Sequence, residues 1–581
     1  MLPSEQFDST RVQNESKGVQ NGVEDRDGTG IGLFGSNIGF FQAQGNAAEL
    51  GQAALSENEN HRQMQDFKEF CNLDDLYVDV VSPPFQSCDD NEIRTILGIS
   101  SQSSEQIEVE QEGSYVLPER SFELLRRHGG KRLRSDGEKS NSICQTETTH
   151  SRSSMMSTEK IIELAAENFI QSMSKSKEIS TVSHPYPSSM TLGCSADDLK
   201  AIQLVQNLLL SAERVDEKKY ECARKLLEEC DRMSSSAGTP IQRLVFYFTE
   251  ALYEKIDRET GSISPKGMGN KILHPLEDLQ HTTRFRISLH KTQPLSQIVQ
   301  FAGMQTVIEH VAEARKVHVI DLGIRSGLQC TILMQALAAR QERNLQQLRI
   351  TAVGTRSRPT IEQTGRQLMA FAESLNLNFC FHIVMVADIL DLNEHLFELD
   401  ADEAVAVYSA YTLMHMIRQA DQLEHILRVM KSIRPCIMIV TELEANCNSP
   451  SFIRRFVEAL FFYGAFFDSM AECLKNDEGN RREAESICFN SSIRDVVAAE
   501  ESERKIRHVH LNVWRAFFAR FGLAETELGM SSLYQANLVC QGFPSGGSCT
   551  LGMNGKCLTI GWKGTPLCTV SAWKFLKDSD G

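Results

Sequence analysis

Apolar residues are spread unevenly along this chain. From Met1 to about Gly193 sustained periodicity is nearly absent, whereas from Ser195 onward it rarely lapses. Leu199, Ile202, Val205, Leu208, Leu209, Ala212 and Val215 recur at three and four residues, which places them on one helical face. A second helix is predicted through Ala223, Leu226, Leu227 and Cys230. A third opens at Thr239, Pro240 and Gln242, where a Thr cap, a proline at the first helical position and a Gln three residues after the cap satisfy the free amides. Its apolar face is Leu244, Val245, Phe248, Leu252 and Ile256. These helices precede any strand and predict a helical cap subdomain over 194–290. The period is equally compatible with burial inside the fold and with burial against a second chain, so Leu199, Ile202, Val205 and Leu209 are a candidate partner surface. An exposed stripe would make them an interface, and a buried one would make them core.

Beyond a helix at about Leu295 to Ala314 the pattern changes to short runs that are apolar on both faces. Strands are predicted at Val317 to Asp321, Leu348 to Val353, Phe381 to Val386, Ala404 to Tyr408 and Cys436 to Val440, with helices at Thr360 to Leu375 and Asp421 to Ser432. That alternation predicts a mainly parallel sheet covered by helices, an α/β core over 291–577. A long aromatic helix follows at Phe452 to Leu474, and another at about Val509 to Phe521 carries Trp514. The tail predicts antiparallel strands at Asn537 to Gln541, Lys556 to Ile560 and Thr569 to Trp573, with Trp562 and Trp573 as anchors.

The stretch that organises the rest is KVHVIDLGIRSGLQCTILMQALAAR, Lys316 to Arg340. Val317, His318, Val319 and Ile320 run into Asp321, Gly323 and Gly327 bend the chain, and a helix follows. In a doubly wound fold this order sets the turn beside a helix N-terminus, where a cofactor can be held. A methyltransferase would need closely spaced glycines here and a second acid at the end of the next strand. Arg325 occupies the position of a middle glycine, and the second strand ends in Val353, Gly354 and Thr355. His318, His415, Glu442 and Glu444 form no acid/base or nucleophile constellation. The expectation is a vestigial turn at Asp321, Gly323 and Gly327, with no catalytic residues, cofactor or metal.

Composition then separates the two halves. The first 193 residues, rich in Ser, Glu, Gln, Asn and Asp, cannot bury enough apolar surface to offset chain entropy, and read as a mostly disordered regulatory region. Within it, Phe67 to Ile99 interleaves acids with apolar residues, as a segment does that folds on a partner or docks on its own body. Arg126, Arg127, Lys131, Arg132 and Arg134 form a nuclear-import candidate. Ser140 to Ser189 is a Ser/Thr-rich linker broken by an amphipathic stretch near Ile161 to Phe169. A net charge of −17 argues against coating nucleic acid through bulk charge, although Arg481 with Arg482, and Arg504 and Lys505 with Arg507 and His508, are local basic patches. The 16 cysteines are scattered without a C-x-x-C pair, as free thiols in a reducing compartment would be. No signal-like or membrane-length apolar run occurs, so an intracellular soluble protein is expected.

VHVIDLGIRSGLQ, Val317 to Gln329, resembles the VHIID motif of the plant GRAS family. LTIGWKGTPLCTVSAW, Leu558 to Trp573, resembles its SAW motif, which Ser571, Ala572 and Trp573 spell out. The helices from Ser195 to Ile256 are similar to the first leucine-rich region, Thr360 to Ser432 to the second, and Ile493 to Gly522 to the later PFYRE region. Leu443 to Ser469 is similar to DELLA-type members, but no DELLA sequence stands in the N-terminal region, so hormone-triggered degradation is not carried over. The resemblance implies a Rossmann-like core similar to class I methyltransferases, with an N-terminal helical cap and a disordered tail. It implies a non-enzymatic nuclear coregulator of transcription that binds transcription factors and other GRAS proteins, as a homo- or heterodimer, with indirect DNA contact and no membrane association. The alternatives are a sequence-specific DNA-binding factor and an S-adenosylmethionine-dependent methyltransferase. Arg325, Cys447 and Val509 depart from common family patterns, the last where an acidic residue would complete a salt bridge.

Overall fold

The computed structural model describes residues 156–175, 194–261, 290–340, 345–355, 358–500, 503–504 and 507–576. The Phe67 to Ile99 island and the basic cluster at Arg126 to Arg134 lie outside the described residues.

The described fold begins inside the stretch that composition assigns to the tail. Helix α1 (Thr158–Lys175) buries Ile161, Ile162, Leu164 and Phe169 against α2 (Ala196–Asp216). The helical cap therefore starts before residue 194. Helix α2 is opened by a capping box in which Ser195 Oγ accepts from the Asp198 amide at 3.1 Å and Asp198 reciprocates. Helices α3 (Tyr220–Met233) and α4 (Pro240–Thr260) follow, the latter with the expected Thr239/Gln242 box and Pro240 in its first turn.

Helix α5 (Pro294–His310) leads into β1 (Lys316–Asp321). The crossover elements are α6 (Leu328–Ala338), β2 (Gln347–Gly354), α7 (Arg358–Ser374), β3 (Phe379–Met385), β4 (Glu403–Ala410), α8 (Ala420–Ile433) and β5 (Ile437–Leu443). Strands β1 to β5 pair in parallel. Between β3 and β4 two short 3₁₀ turns replace a crossover helix. After β5 come α9 (Phe452–Cys473), α10 (Glu478–Glu483), a π-helical turn over Ala484–Phe489, α11 (Asn490–Ala498) and α12 (Leu511–Arg520). The chain ends with β6 (Leu523–Thr526), α13 (Met530–Gly542), β7 (Cys549–Asn554), β8 (Cys557–Trp562) and β9 (Thr565–Phe575).

The nine strands form one sheet in the order β3-β2-β1-β4-β5-β9-β8-β7, with β6 also paired to β9. Strand β9 runs antiparallel to β5 and turns the parallel half into an antiparallel one. This is the Rossmann-like doubly wound α/β architecture. One face carries a core in which Ile320, Val407, Met438 and Trp573 meet Leu427 of α8 and Trp514 and Phe518 of α12.

One reading of the sequence is corrected. Asn537 to Gln541 is helical, because Ser532, Ala536, Val539 and Cys540 bury one face of α13 against α5. The N-terminal cap helices are joined by a later part of the chain. The segment between β5 and α12 returns to them, with α9 and α11 packing on α4. Arg243 of α4 donates to Glu485 Oε1 at 2.9 Å, and Arg481 pairs with the same buried carboxylate at 3.1 Å. A buried carboxylate needs such partners, since an unpaired charge away from water costs several kcal/mol.

Candidate functional site: the turn after the first strand

In a sheet of this order, ligands are taken where the connections leave β1 and β4 toward opposite sides. Asp321 ends β1 at that point, opposite Ala352 on one side and Tyr408 on the other. Its buried carboxylate is already occupied: Oδ1 accepts from the Gly323 amide at 3.0 Å and Oδ2 from Gln329 Nε2 at 2.8 Å. Burial raises this carboxyl to about 6 against those two donors.

Both glycines allow a close approach, and the approaching groups belong to this chain. Gly327 has φ 70°, the left-handed conformation that favours glycine, and a Cβ there would stand 2.9 Å from Thr364 Cγ2 and 3.2 Å from Leu368. A Cβ on Gly323 would overlap Thr412 Oγ1 and lie 3.3 Å from the Thr412 methyl. Thr364 Oγ1 donates to the Arg325 carbonyl at 2.7 Å, which ties α7 to the turn. The Arg325 guanidinium lies 5.8 Å from the Tyr411 ring and donates to the Tyr411 carbonyl at 3.4 Å. The end of β2 offers backbone only, since the Gly354 carbonyl accepts from the Val386 amide at 3.1 Å.

Nearby, Glu442 is buried one residue before the end of β5. Its Oε1 accepts from the Met414 amide at 3.3 Å, and burial pushes the carboxyl up to about 8, so it is protonated at neutral pH. Its Oε2 has no hydrogen-bond partner among the described residues. Desolvation and then the Arg325 charge push His415 down to about 3, leaving the imidazole a weak base. His318 faces the other way: its Nε2 lies 2.8 Å from Thr351 Oγ1 and its Nδ1 3.2 Å from Glu403. Glu444 takes the first amide of α12, Leu511 N, at 2.9 Å and the His510 ring at 3.1 Å, which is a helix cap. The arrangement binds its own turns together: Asp321, His415 and Glu442 all lie within reach of the Arg325 charge, whereas His318 and Glu444 are bonded elsewhere. Among the described residues, no group of three or more His, Cys, Asp or Glu is placed to hold a metal.

Other sequence candidates settle as follows. Leu199 is 43 % exposed, but Ile202, Val205 and Leu209 are buried within the chain. Ile202, Val205 and Leu209 are therefore core, and Leu199 alone of the four stays accessible. Of the basic patches, Arg481, Arg504 and His508 are buried, while Arg482 stays exposed. Arg504 is buried and donates to the carbonyls of Ser449 at 3.1 Å and Asn448 at 3.4 Å, while Arg507 donates to Asn448 Oδ1 at 3.0 Å. Burial lowers Arg504 to about 9, with the Arg455 and Arg507 charges adding to it. Arg482 pairs with Glu478 at 2.7 Å. Val509 is packed into the core with Trp514.

The two motif tryptophans are anchors. Trp573 Nε1 donates to Ser571 Oγ at 2.9 Å, Ser571 donates on to the Val440 carbonyl at 3.0 Å, and the Trp573 ring stands edge-on to Phe518 at 4.8 Å. Ala572, Val317, Val319 and Ile320 are also buried, and Ile320 shares a core cluster with Trp573. Trp562 Nε1 donates to Asp468 Oδ2 at 2.7 Å, and the same carboxylate accepts from Lys563 at 2.6 Å and from Thr158 at 2.7 Å. Asp468 thus joins α1, α9 and β8, a node the sequence did not reveal. Its only sequence signal is an acid inside an otherwise aromatic helix.

Among known proteins, the GRAS domain family model matches residues 204–574. The DELLA protein DWARF8 of Zea mays is 30% identical over 394 residues, covering 64% of this chain and 61% of that protein. The DELLA protein RGL1 of Arabidopsis thaliana is 30% identical over 377 residues, covering 64% of this chain and 70% of that one. The match therefore spans 61% to 70% of the length of these curated relatives. The crystal structure of SCL7 in Oryza sativa superposes with a TM-score of 0.57 at 27% identity, over 64% of this chain and 99% of that one.

Proposed function

The chain belongs to the GRAS domain family, and from that premise we propose that it acts in the nucleus as a non-enzymatic coregulator of transcription. It works through contacts with transcription factors and with other GRAS proteins, and DNA contact is indirect. The observation that carries this reading is the filled turn: Thr412 against Gly323, Thr364 and Leu368 against Gly327, and both oxygens of Asp321 already bonded. An enzyme of this architecture would have to displace those groups to seat a cofactor. The inward-facing Arg504 and Arg507 favour protein contacts over DNA contacts.

With Ile202, Val205 and Leu209 buried, the partner surface is assigned elsewhere. Leu390, Leu396 and Leu399 are all exposed in the connection between β3 and β4, inside the second leucine-rich stretch. The region preceding α1 selects partners, and Arg126, Arg127, Lys131, Arg132 and Arg134 direct import. The test is to tether the full chain to a reporter promoter through a heterologous DNA-binding domain. Altered reporter output, unaffected by Asp321→Asn, is expected. Unchanged output together with methyl transfer from S-adenosylmethionine would overturn the reading.

A further inference from the structure

The sheet is open at the end formed by β7. This strand is last in the strand order and pairs with β8 alone, in an unbroken antiparallel register from Cys549 opposite Trp562 to Asn554 opposite Cys557. Among the described residues, no backbone hydrogen bond from another element reaches Cys549 to Met553, so the outer row of amides and carbonyls is free to pair. Thr550, Gly552, Met553 and Asn554 are exposed, and a Cβ on Gly552 would meet nothing within 4 Å. Natural sheets guard such an edge with charged side chains, proline or a bulge. The run Cys549 to Asn554, CTLGMN, has none of these.

The stretch that leads into the edge is also without charge. From Leu528 to Gly555, which covers α13, the following turn and β7, there is no Asp, Glu, Lys, Arg or His, although 24% of the chain is charged. Three large apolar side chains stand out from it: Met530 is 80 % exposed, Tyr534 59 % and Met553 50 %. Exposed Met and Tyr on a surface without charge is the composition of the centre of an interface. The net charge of −17 then limits what can sit there. A basic partner is drawn to the acids elsewhere on the molecule and gains no Coulombic attraction from a neutral face. A second copy is repelled everywhere except where charge is missing.

We propose that two copies of this chain join edge to edge through β7, antiparallel about a two-fold axis, so that their sheets run on as one. This rests on the reading that the chain works in contact with GRAS proteins, and it gives a copy of itself a surface apart from Leu390, Leu396 and Leu399. Side chains directly opposite in an antiparallel pair lie on the same side of the sheet, so the axis must pass a residue that faces its own copy. Gly552 suits that position, since two strands without side chains there can approach closely. Leu551 then lies opposite Met553 of the second copy, and Thr550 opposite Asn554. The ends agree as well. Ser548, just before β7, donates to the acid Glu472 at 2.7 Å, and Asn554 at its end accepts from the base Arg515 at 2.9 Å. Each has a partner of its own, Lys563 at 3.0 Å for Glu472 and Glu525 at 2.8 Å for Arg515. Antiparallel pairing sets the acid-held end of one strand by the base-held end of the other, whereas parallel pairing would set like by like.

The test is sedimentation velocity of the purified full chain over a wide range of concentration, with hydrogen exchange measured on the same samples. Mass should rise from 65.2 kDa towards twice that value, and the amides of Cys549 to Asn554 should gain protection as it does. In Thr550→Lys/Met553→Lys, both at exposed positions, the chain should stay at 65.2 kDa with an unchanged thermal midpoint. One lysine would meet the Arg515 end of the second copy and the other its apolar Leu551. A single 65.2 kDa species at every concentration would overturn the proposal, as would a dimer that survives the two lysines. So would a wild-type dimer whose β7 amides exchange as fast as in the monomer, a result that does not depend on the variant folding. The reporter assay reads the coregulator role separately. A monomeric chain that still alters reporter output removes the pairing and leaves the role standing, and a dimer with unchanged output does the reverse.

Discussion

If Thr412 fills the space over Gly323, adding one methyl group at 323 must meet it. In Gly323→Ala the new Cβ overlaps Thr412 Oγ1 and sits 3.3 Å from both its Cβ and its methyl, tighter than ordinary contacts. Thr412 cannot simply rotate away without loss, because its hydroxyl donates to the Ala410 carbonyl at 3.2 Å. Overpacking of this kind costs about 1–3 kcal/mol. Thr412→Ala alone forfeits that hydrogen bond, worth roughly 0.5–1.5 kcal/mol. The double variant relieves the overlap, so its loss should fall short of the sum by about 1 kcal/mol or more, a coupling typical of residues in contact. The assay is urea unfolding of the purified chain and its three variants, followed by Trp fluorescence. Additivity to within about 0.5 kcal/mol would refute the claim that the two residues share that space.

Other consequences follow from the same packing. Trp573→Ala empties a site between β9, α12 and β5 and should cost about 3–5 kcal/mol, read as a lowered denaturation midpoint; a midpoint that hardly moves would contradict the anchor role. Ile202→Asp buries an unpaired charge and should make the chain insoluble or unfolded, whereas Leu199→Asp at the exposed end of the same stripe should leave the thermal midpoint unchanged. The buried carboxyls give a pH signature. Asp321 and Glu442 are raised from 3.8 and 4.5 to about 6 and about 8, so the folded chain holds protons that the unfolded chain releases. Their stabilisation is complete below the unfolded values and is lost as pH rises through 6 and then 8; the buried His290, His318, His415 and His508, lowered from 6.5, act oppositely below that pH, so the fall of the thermal midpoint should show between 6.5 and 8, where Glu442 acts. Glu442→Gln, which keeps the neutral form, should flatten the alkaline part of the fall; a midpoint that rises over that interval would contradict the assignment.

The legible parts of the fold were those whose evidence is local. Helices α2 and α4 announce themselves through a 3.6-residue period and reciprocal caps, and β1, β2, β4 and β5 through runs buried on both faces. What escaped depends on distant partners. The apolar face of α1 is short, and it is ordered by Asp468, 310 residues later. The run Asn537 to Gln541 suits a strand by composition, and only the cover provided by α5 makes it a helix. Arg504 and Arg507 look like a surface patch until the carbonyls of Asn448 and Ser449 arrive from 55 residues away. The same limit applied to the turn. Sequence could count the glycines and note Arg325, but not that Thr412 and Thr364 stand where a ligand would.

The most direct measurement is equilibrium dialysis of the purified full chain against radiolabelled S-adenosylmethionine, with Thr412→Gly in parallel. A turn filled by its own side chains predicts no saturable uptake by the wild-type chain. Stoichiometric binding by the wild-type chain that disappears in Asp321→Ala would contradict the account.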